Sequence, residues 1–229
     1  METVIVDFNE RVSEIDEYLS LLQMISEPDA KISVDGKRPR KVKTVALKTM
    51  KASCFLMLYN LVESSIRGSM VQLYEQMNAE ALALDKFDEY VKKIWIEQKF
   101  KNMDPFSSNQ TSYRNLIKSM VDDVLVSTPI SLDPDKLEIS GNLDAKKIRS
   151  LFKIHNIPTS THYRAFGGGE LRTIKDRRNS LAHGSESFSD CGQEYTVQTI
   201  IAIKKQTVIY LRSSLKNVQK YIESEKYAA

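Results

Sequence analysis

The stretch Leu171-Arg-Thr-Ile-Lys-Asp-Arg-Arg-Asn-Ser-Leu-Ala-His-Gly184 has the pattern of an amphipathic helix with a polar end, and the predicted bundle is built around it. Four of its side chains recur at steps of three or four residues and therefore share one side of the predicted helix. They are Leu171, Ile174, Arg178 and Leu181. Gly184 follows the last predicted helical residue, where glycine readily adopts the left-handed backbone of a C-terminal cap.

Arg178 is the unusual member of this apolar side. A guanidinium group does not lose its charge, so it is rarely buried without a partner. We therefore expect Arg178 to face a partner or a cleft. Asn179 and His183 are one helical turn apart and can share a face, while Arg178 and His183 lie on adjoining faces. All three side chains could reach one site near the helix end.

The composition predicts a soluble, mainly helical protein. Hydrophobic residues make up 41% and charged residues 28% of the chain, and the 8 glycines and 6 prolines are few for 229 residues. The net charge of +3 permits an anionic partner without requiring one. Cys54 and Cys191 fit no metal-binding spacing, and Cys54 is expected to be a buried free thiol. With no signal peptide and no run of about 20 apolar residues, we expect a cytoplasmic protein that does not enter membranes.

Apolar periodicity predicts one all-helical domain over residues 1–229. The predicted helices cover residues 7–27, 42–79, 85–100, 113–126, 144–155 and 197–223, together with the stretch quoted above. We divide the domain into an N-terminal helix and basic loop (1–41) and a core (42–229) with an insertion around 100–140. Three connections are predicted as a solvated basic loop at 37–43, a flexible glycine joint at 167–169 and a loop of small residues at 184–194.

Within the longest predicted helix, Asn60, Glu63 and Arg67 form a polar stripe on an otherwise apolar surface. One interpretation is a solvent-facing edge with a weak Glu63–Arg67 ion pair. The other is the polar lining of a pocket. The spacing favours neither.

The chemistry available to these residues points to phosphodiesters. His155 and His162 are isolated from other metal ligands, so we predict no metal site and no cofactor. Arginine binds phosphate through a planar fork, and histidine can move a proton near neutral pH. The 2′-hydroxyl of RNA is an internal nucleophile, so arginine, asparagine and histidine suit its metal-free cleavage. Taken without further information, a surface histidine that interacts with the helix dipole is the stronger interpretation of His183.

The segment Arg178-Asn-Ser-Leu-Ala-His183 resembles the Arg-x(4–6)-His signature of the HEPN superfamily (higher eukaryotes and prokaryotes nucleotide-binding). Three further segments resemble its prokaryotic branch named for MAE-type proteins. They are Leu58-Tyr-Asn-Leu-Val-Glu-Ser-Ser-Ile-Arg67, Ser140-Gly-Asn-Leu-Asp144 and Ser187-Phe-Ser-Asp-Cys-Gly192. The resemblance runs from about residue 42 to the C-terminus and is weakest between 100 and 140.

The resemblance implies an all-α, HEPN-like bundle with a long central helix and extra N-terminal and inserted helices. It also implies a homodimer whose two motifs share one composite cleft, and metal-independent endoribonuclease activity in toxin–antitoxin or antiphage defence. Arg178 would grip the scissile phosphate, His183 would be the general acid or base, and Asn179 would position one of them. Asn60, Glu63 and Arg67 would support the site, and Lys175 and Arg177 would guide the RNA. Any antitoxin would be a separate protein.

Two alternatives to a ribonuclease are open at this point. A non-catalytic HEPN module would bind nucleotide, RNA or a protein partner without cleaving anything. A purely structural helical dimer would pair Arg178 with an acidic residue in its own core, with no cleft between the protomers.

Overall fold

A computed structural model describes residues 1–33, 35–36, 38–101, 110–139 and 141–229. The helices are α1 (Glu2–Ile25), α2 (Thr44–Ala79), α3 (Glu89–Lys101), α4 (Gln110–Leu125), α5 (Ala145–Ile154), α6 (Gly169–Ala182), α7 (Phe188–Gln193) and α8 (Val197–Glu223). Short 3-10 segments cover Leu84–Lys86, Pro134–Lys136 and Tyr163–Gly168. Apart from one pair of two-residue strands, the named secondary-structure elements of the described chain are helices. The predicted all-α class is therefore confirmed.

The long helix α2 is the centre of the bundle. It packs against α1, α6, α7 and α8, and most of the predicted apolar surface is buried, from Phe55 to Met77. Val45 is the exception, at 64% exposure, because it lies in the first turn beyond the reach of the neighbouring helices. By length and composition alone, α2 could cross a membrane. Its place among four other helices accounts for the same apolar composition in a folded core.

The flanking helices bury the predicted stripes. Helix α1 packs on α2 and α8 through Phe8, Val12, Ile15, Leu19 and Leu22. In α6 the apolar residues Leu171, Ile174 and Leu181 are buried, and Gly184 has a φ of 68°, as the predicted left-handed cap requires. Helix α8 closes the bundle between residues 197 and 223, with the predicted bounds.

The connection predicted as a loop at 184–194 contains a helix instead. Helix α7 begins after Ser187, whose hydroxyl accepts a hydrogen bond from the backbone of Asp190. Its six residues are too few to show an apolar period, which is why the sequence pattern misses it. Helix α7 lies against α2 at Gly192, where an added Cβ would come within 1.8 Å of the Lys48 carbonyl oxygen.

Two of the other predicted connections have more structure than expected. Strands β1 (Lys31–Ile32) and β2 (Arg40–Lys41) pair antiparallel, so part of the basic stretch forms a small hairpin; Lys37 lies outside the described residues. The joint at 167–169 is a tight turn between a 3-10 segment and α6. Gly168 is buried with a φ of 76°, and a Cβ there would approach the Tyr210 ring to 2.6 Å.

The segment around 100–140 contributes α4 and an irregular return to the core. Residues 102–109, within the predicted loop that joins α3 and α4, lie outside the described residues. Helix α4 has no buried residue, while Ile130, Leu132, Leu137 and Ile139 after it enter the core. The return leads to residues 141–144, which reach the functional end of α6.

Substitution of Gly192 by Ala is expected to destabilise the protein by roughly 2 kcal/mol or more, because α7 must move away from the α2 backbone. Substitution of Gly68 by Ala is the matched control. Its Cβ would meet only the Val4 methyls, at 3.7 Å, inside a long helix. This change should stabilise by about 0.5–1 kcal/mol. Urea unfolding measures both, and equal stability of the two variants would contradict the close helix contact.

Candidate active site

The Arg178 guanidinium group lies over the face of a buried tyrosine. Its central carbon is 4.7 Å from the centroid of the Tyr59 ring. One terminal nitrogen, Nη1, donates hydrogen bonds to the Asn179 side-chain oxygen at 3.0 Å and to the Gly141 carbonyl oxygen at 3.3 Å. The stacked ring and the two acceptors hold the guanidinium plane in one place without neutralising its charge.

No carboxylate pairs with Arg178 among the described residues. Its Nε and Nη2 groups also donate no hydrogen bond within that part of the chain. The purely structural alternative required an acidic partner in the core, and the described residues supply none. Within the described part of the chain, Arg178 therefore carries a positive charge without an acidic partner and has donors that are not used.

A loop of residues 141–144 forms the opposite wall. An added Cβ on Gly141 would lie 3.3 Å from both terminal nitrogens of Arg178, so glycine permits the close approach. The Asn179 amide donates to the Asn142 side-chain oxygen at 2.7 Å. The Leu143 backbone N–H donates to the Tyr59 hydroxyl at 3.1 Å. The 141–144 loop thus connects Tyr59 of α2 to the polar end of α6.

His183 is the C-cap of α6 and is exposed to solvent. Its backbone N–H completes the helix by donating to Asn179, but its imidazole makes no hydrogen bond or ion pair with the described residues. The ring is thus available to an external group.

The three residues of the polar stripe on α2 have different surroundings. Asn60 is exposed, and Arg67 donates to the Ile139 carbonyl at 2.9 Å, which secures the chain just before the 141–144 loop. Glu63 is half-buried and has no bonded partner in the described residues, so the Glu63–Arg67 ion pair is not formed. The Glu63 carboxylate is close enough to Tyr59 to raise the pKa of the tyrosine phenol.

Tyr59 is the side chain that these groups share. Burial raises the pKa of its phenol, the Leu143 N–H opposes this, and the Glu63 carboxylate raises the pKa further. The cations Arg178 and Lys175 act in the opposite direction. Tyr59 therefore lies between the supporting carboxylate on α2 and the cations on α6. Tyr59 and Glu63 on α2 are more than a hundred residues away in sequence from the two cations on α6.

The two cations proposed to guide RNA are bound within the chain. Lys175 pairs with Asp144 at 3.0 Å and with Asp176 at 3.4 Å, and its side chain is 19% exposed. Arg177 bonds Glu186 at 2.8 Å, Glu194, and the Tyr195 hydroxyl at 3.0 Å. Both thus have a role inside the fold, and their contact with RNA stays a prediction.

Sequence reasoning missed Tyr59, Gly141 and Asn142 as parts of the site. All three belong to segments that resemble HEPN proteins, so their presence in those segments was a usable signal. Nothing in the linear pattern shows that residue 59 lies beneath residue 178, because the contact depends on how α2 crosses α6.

The remaining reactive side chains lie apart from this cluster. His155 is buried between the Tyr74 hydroxyl and the Leu151 carbonyl, and burial lowers its pKa to about 4. Burial also raises the pKa of the Cys54 thiol to about 12 and that of Cys191 to about 11. These residues are thus neutral at physiological pH and serve the core. The described residues contain no group of three potential metal ligands.

Comparison with family models gives a match over residues 1–227 to HEPN_MAE_28990, described as MAE_28990-like HEPN. The chain belongs to this HEPN family. The match is wider than the predicted coverage, since it includes α1. Arg178 and His183 lie within this match, at the C-terminal end of the core helix α6. No curated protein and no solved structure matches this HEPN chain significantly. HEPN membership supports a nuclease or a nucleotide-binding module.

The neighbouring arginines should differ in their effect on stability. Arg177→Ala leaves the Glu186 carboxylate, which is 16% exposed, without its cation and should cost about 1–3 kcal/mol. Arg178→Ala removes one ring contact, two hydrogen bonds to neutral oxygens and no ion pair. Because it also removes a partly buried charge, its net cost should be below about 1 kcal/mol. Urea unfolding of both variants measures this. A larger loss for Arg178→Ala would show that Arg178 serves the fold.

Proposed function

We propose that this HEPN protein is a metal-independent endoribonuclease. The observation that carries the proposal is the Arg178 guanidinium, held over Tyr59 with a free charge and free donors. Asn179 is bonded to it, and His183 is unbonded one turn further along the same helix end. A fixed cation suits the extra negative charge on phosphorus in the transition state, and an imidazole suits proton transfer.

The chemistry uses the 2′-hydroxyl of the RNA itself. A neutral imidazole accepts the 2′ proton as the 2′ oxygen bonds to phosphorus, and the bond from phosphorus to the 5′ oxygen breaks. A protonated imidazole donates to the departing 5′ oxygen, so the products are a 2′,3′-cyclic phosphate and a 5′-hydroxyl. Arg178 stabilises the phosphorane, and Asn179 orients Arg178 through the 3.0 Å hydrogen bond.

A homodimer with a composite cleft fits this scheme. One imidazole cannot be base and acid in the same step, whereas two protomers bring two copies of His183. The exposed position of His183 leaves it accessible to a second copy. We also propose a cytoplasmic role in toxin–antitoxin or antiphage defence, with any antitoxin as a separate protein. Family membership is what supports this setting.

A non-catalytic HEPN module that binds nucleotide or RNA is the second candidate. The observation that favours it is the unpartnered imidazole, because a catalytic histidine is usually oriented by another side chain. In that case Arg178 would hold a phosphate group, and His183 would contribute nothing to chemistry.

The ribonuclease proposal predicts cleavage of single-stranded RNA in the presence of EDTA, with cyclic-phosphate ends. His183→Ala and Arg178→Ala should each lower the rate by at least about a hundredfold, since each removes a group needed in the transition state. Arg114→Ala, at an exposed residue of α4 outside the motif, is the control and should retain activity. Binding of RNA with no product from the parent protein supports the second candidate, and cleavage of an all-deoxy strand contradicts attack by the 2′-hydroxyl.

The composite cleft is tested by mixing the parent protein with an inactive variant. If one cleft uses His183 from both protomers, a mixed dimer of parent and His183→Ala chains contains only one imidazole and should be inactive. When one part of parent is refolded with three parts of His183→Ala, activity per parent chain should therefore fall to about a quarter, because about one parent chain in four then has a parent partner. Refolded parent protein alone is the control. Unchanged activity per parent chain in a mixture that contains mixed dimers would show that each protomer has its own complete site.

A further inference from the structure

A cationic cavity lies at the opposite end of α6 from His183. It measures about 410 Å³ and is lined by the glycine turn 167–169 together with charged side chains of α5 and α6. Four of these are cations and one is an acid. They are Lys146, Arg149, Arg172, Lys175 and Asp144. Because Asp144 is already paired with Lys175, the cavity presents an excess of positive charge.

The three other cations are only lightly engaged. Lys146 is exposed and makes no hydrogen bond or ion pair with the described residues. Arg149 donates one hydrogen bond to the Gly167 carbonyl at 2.9 Å, and a carbonyl does not cancel its charge. Arg172 has an 80% exposed side chain and a single ion pair to Asp176 at 3.6 Å. Such exposed pairs are weak, so the three charges are available to an anion.

Exposed aromatic residues come immediately before the cavity wall in sequence. Tyr163 is 73% and Phe166 is 71% exposed, and both belong to the 3-10 segment that runs directly into the cavity wall at Gly167. Phe166 has a φ of 46°, which is a strained backbone conformation for a bulky residue. An aromatic residue that is both exposed and held in an unfavourable conformation adds nothing to the core, which suggests a role at the surface.

The segment is fixed by α8. The Ser213 hydroxyl accepts a hydrogen bond from the His162 backbone, and the Asn217 amide donates to the carbonyls of Pro158 and Ser160. Gly168 packs on the Tyr210 ring. The aromatic rings are thus presented from an anchored backbone, which lowers the entropy lost when a flat ligand stacks on them.

We infer that this cavity and Phe166 form a second binding site for single-stranded RNA, away from the Arg178 motif. Cations that follow phosphates, together with an exposed ring on which a base stacks, are the features that bind unpaired nucleic acid. Arg172 lies six residues before Arg178, so a helix rise of 1.5 Å per residue separates them by roughly 9 Å along the axis. One strand can therefore reach both sites. This inference rests on the proposed function for the identity of the strand.

Binding is measured by fluorescence anisotropy with a labelled single-stranded RNA of about 12 nucleotides and full-length His183→Ala protein, which cannot cleave it under the proposal. Phe166→Ala should weaken binding roughly five- to hundredfold, and Phe166→Trp should retain it. Duplex RNA should not respond to Phe166→Ala, because its bases are stacked on one another. Thermal unfolding by circular dichroism checks that each variant is folded.

Lys146→Glu tests the phosphate contact. It should weaken binding and reduce the slope of log affinity against log salt by about 0.7 or more. Lys118→Glu makes the same charge change at an exposed residue of α4 that has no partner among the described residues, and it should have little effect. Equal losses for the two variants, or unchanged binding by Phe166→Ala, would overturn the inference.

The two proposals can fail separately. If cleavage is absent but Phe166 and Lys146 govern binding, the ribonuclease proposal fails and the second site stands. If RNA is cleaved while both substitutions leave binding unchanged, the second site fails and the ribonuclease stands.

Discussion

The contact between the Arg178 guanidinium and the Tyr59 ring is the interaction on which the functional end of this protein depends. The ring faces a charge that no carboxylate of the described chain neutralises. Partial burial of the charged guanidinium costs free energy. The Tyr59 ring and the two carbonyl-type oxygens that accept its hydrogen bonds offset only part of that cost. Most residues around it can be understood as holding the charge in place. Leu143 secures the Tyr59 hydroxyl, and Asn142 secures Asn179.

Two adjacent arginines on α6 show how a structural cation differs from a functional one. Arg177 has two carboxylates and a phenol as partners, and each of its three guanidinium nitrogens donates to one of them. Arg178 has a ring and two neutral acceptors, so its charge stays available. The sequence presents the two residues as equivalents. Their surroundings separate them, because one points to the α7–α8 connection and the other to the 141–144 loop.

The family assignment and the site geometry support each other without being the same argument. The family match covers nearly the whole chain and supports a nuclease or nucleotide-binding role. The geometry adds an uncompensated guanidinium and an unbonded imidazole at one helix end, where the phosphorane and the transferred protons of RNA cleavage would need them. The cationic cavity at the other end of α6 places further positive charge along the same helix.

The amino-acid sequence alone predicts the helical class, most helix positions, the buried stripes of α1, α6 and α8, and the motif Arg178–Asn179–His183. These features depend on local periodicity, capping and composition, all of which can be read within one or two helical turns. The three-dimensional structure was needed to show that Tyr59 and Gly141 surround Arg178, that Lys175 and Arg177 are paired with acids, and that the glycine turn packs on Tyr210. Those results depend on how α2, α5, α6 and α8 cross, and packing between distant segments leaves no local pattern in the chain. The short α7 belongs with them, because a glycine pressed against the α2 backbone holds it in place.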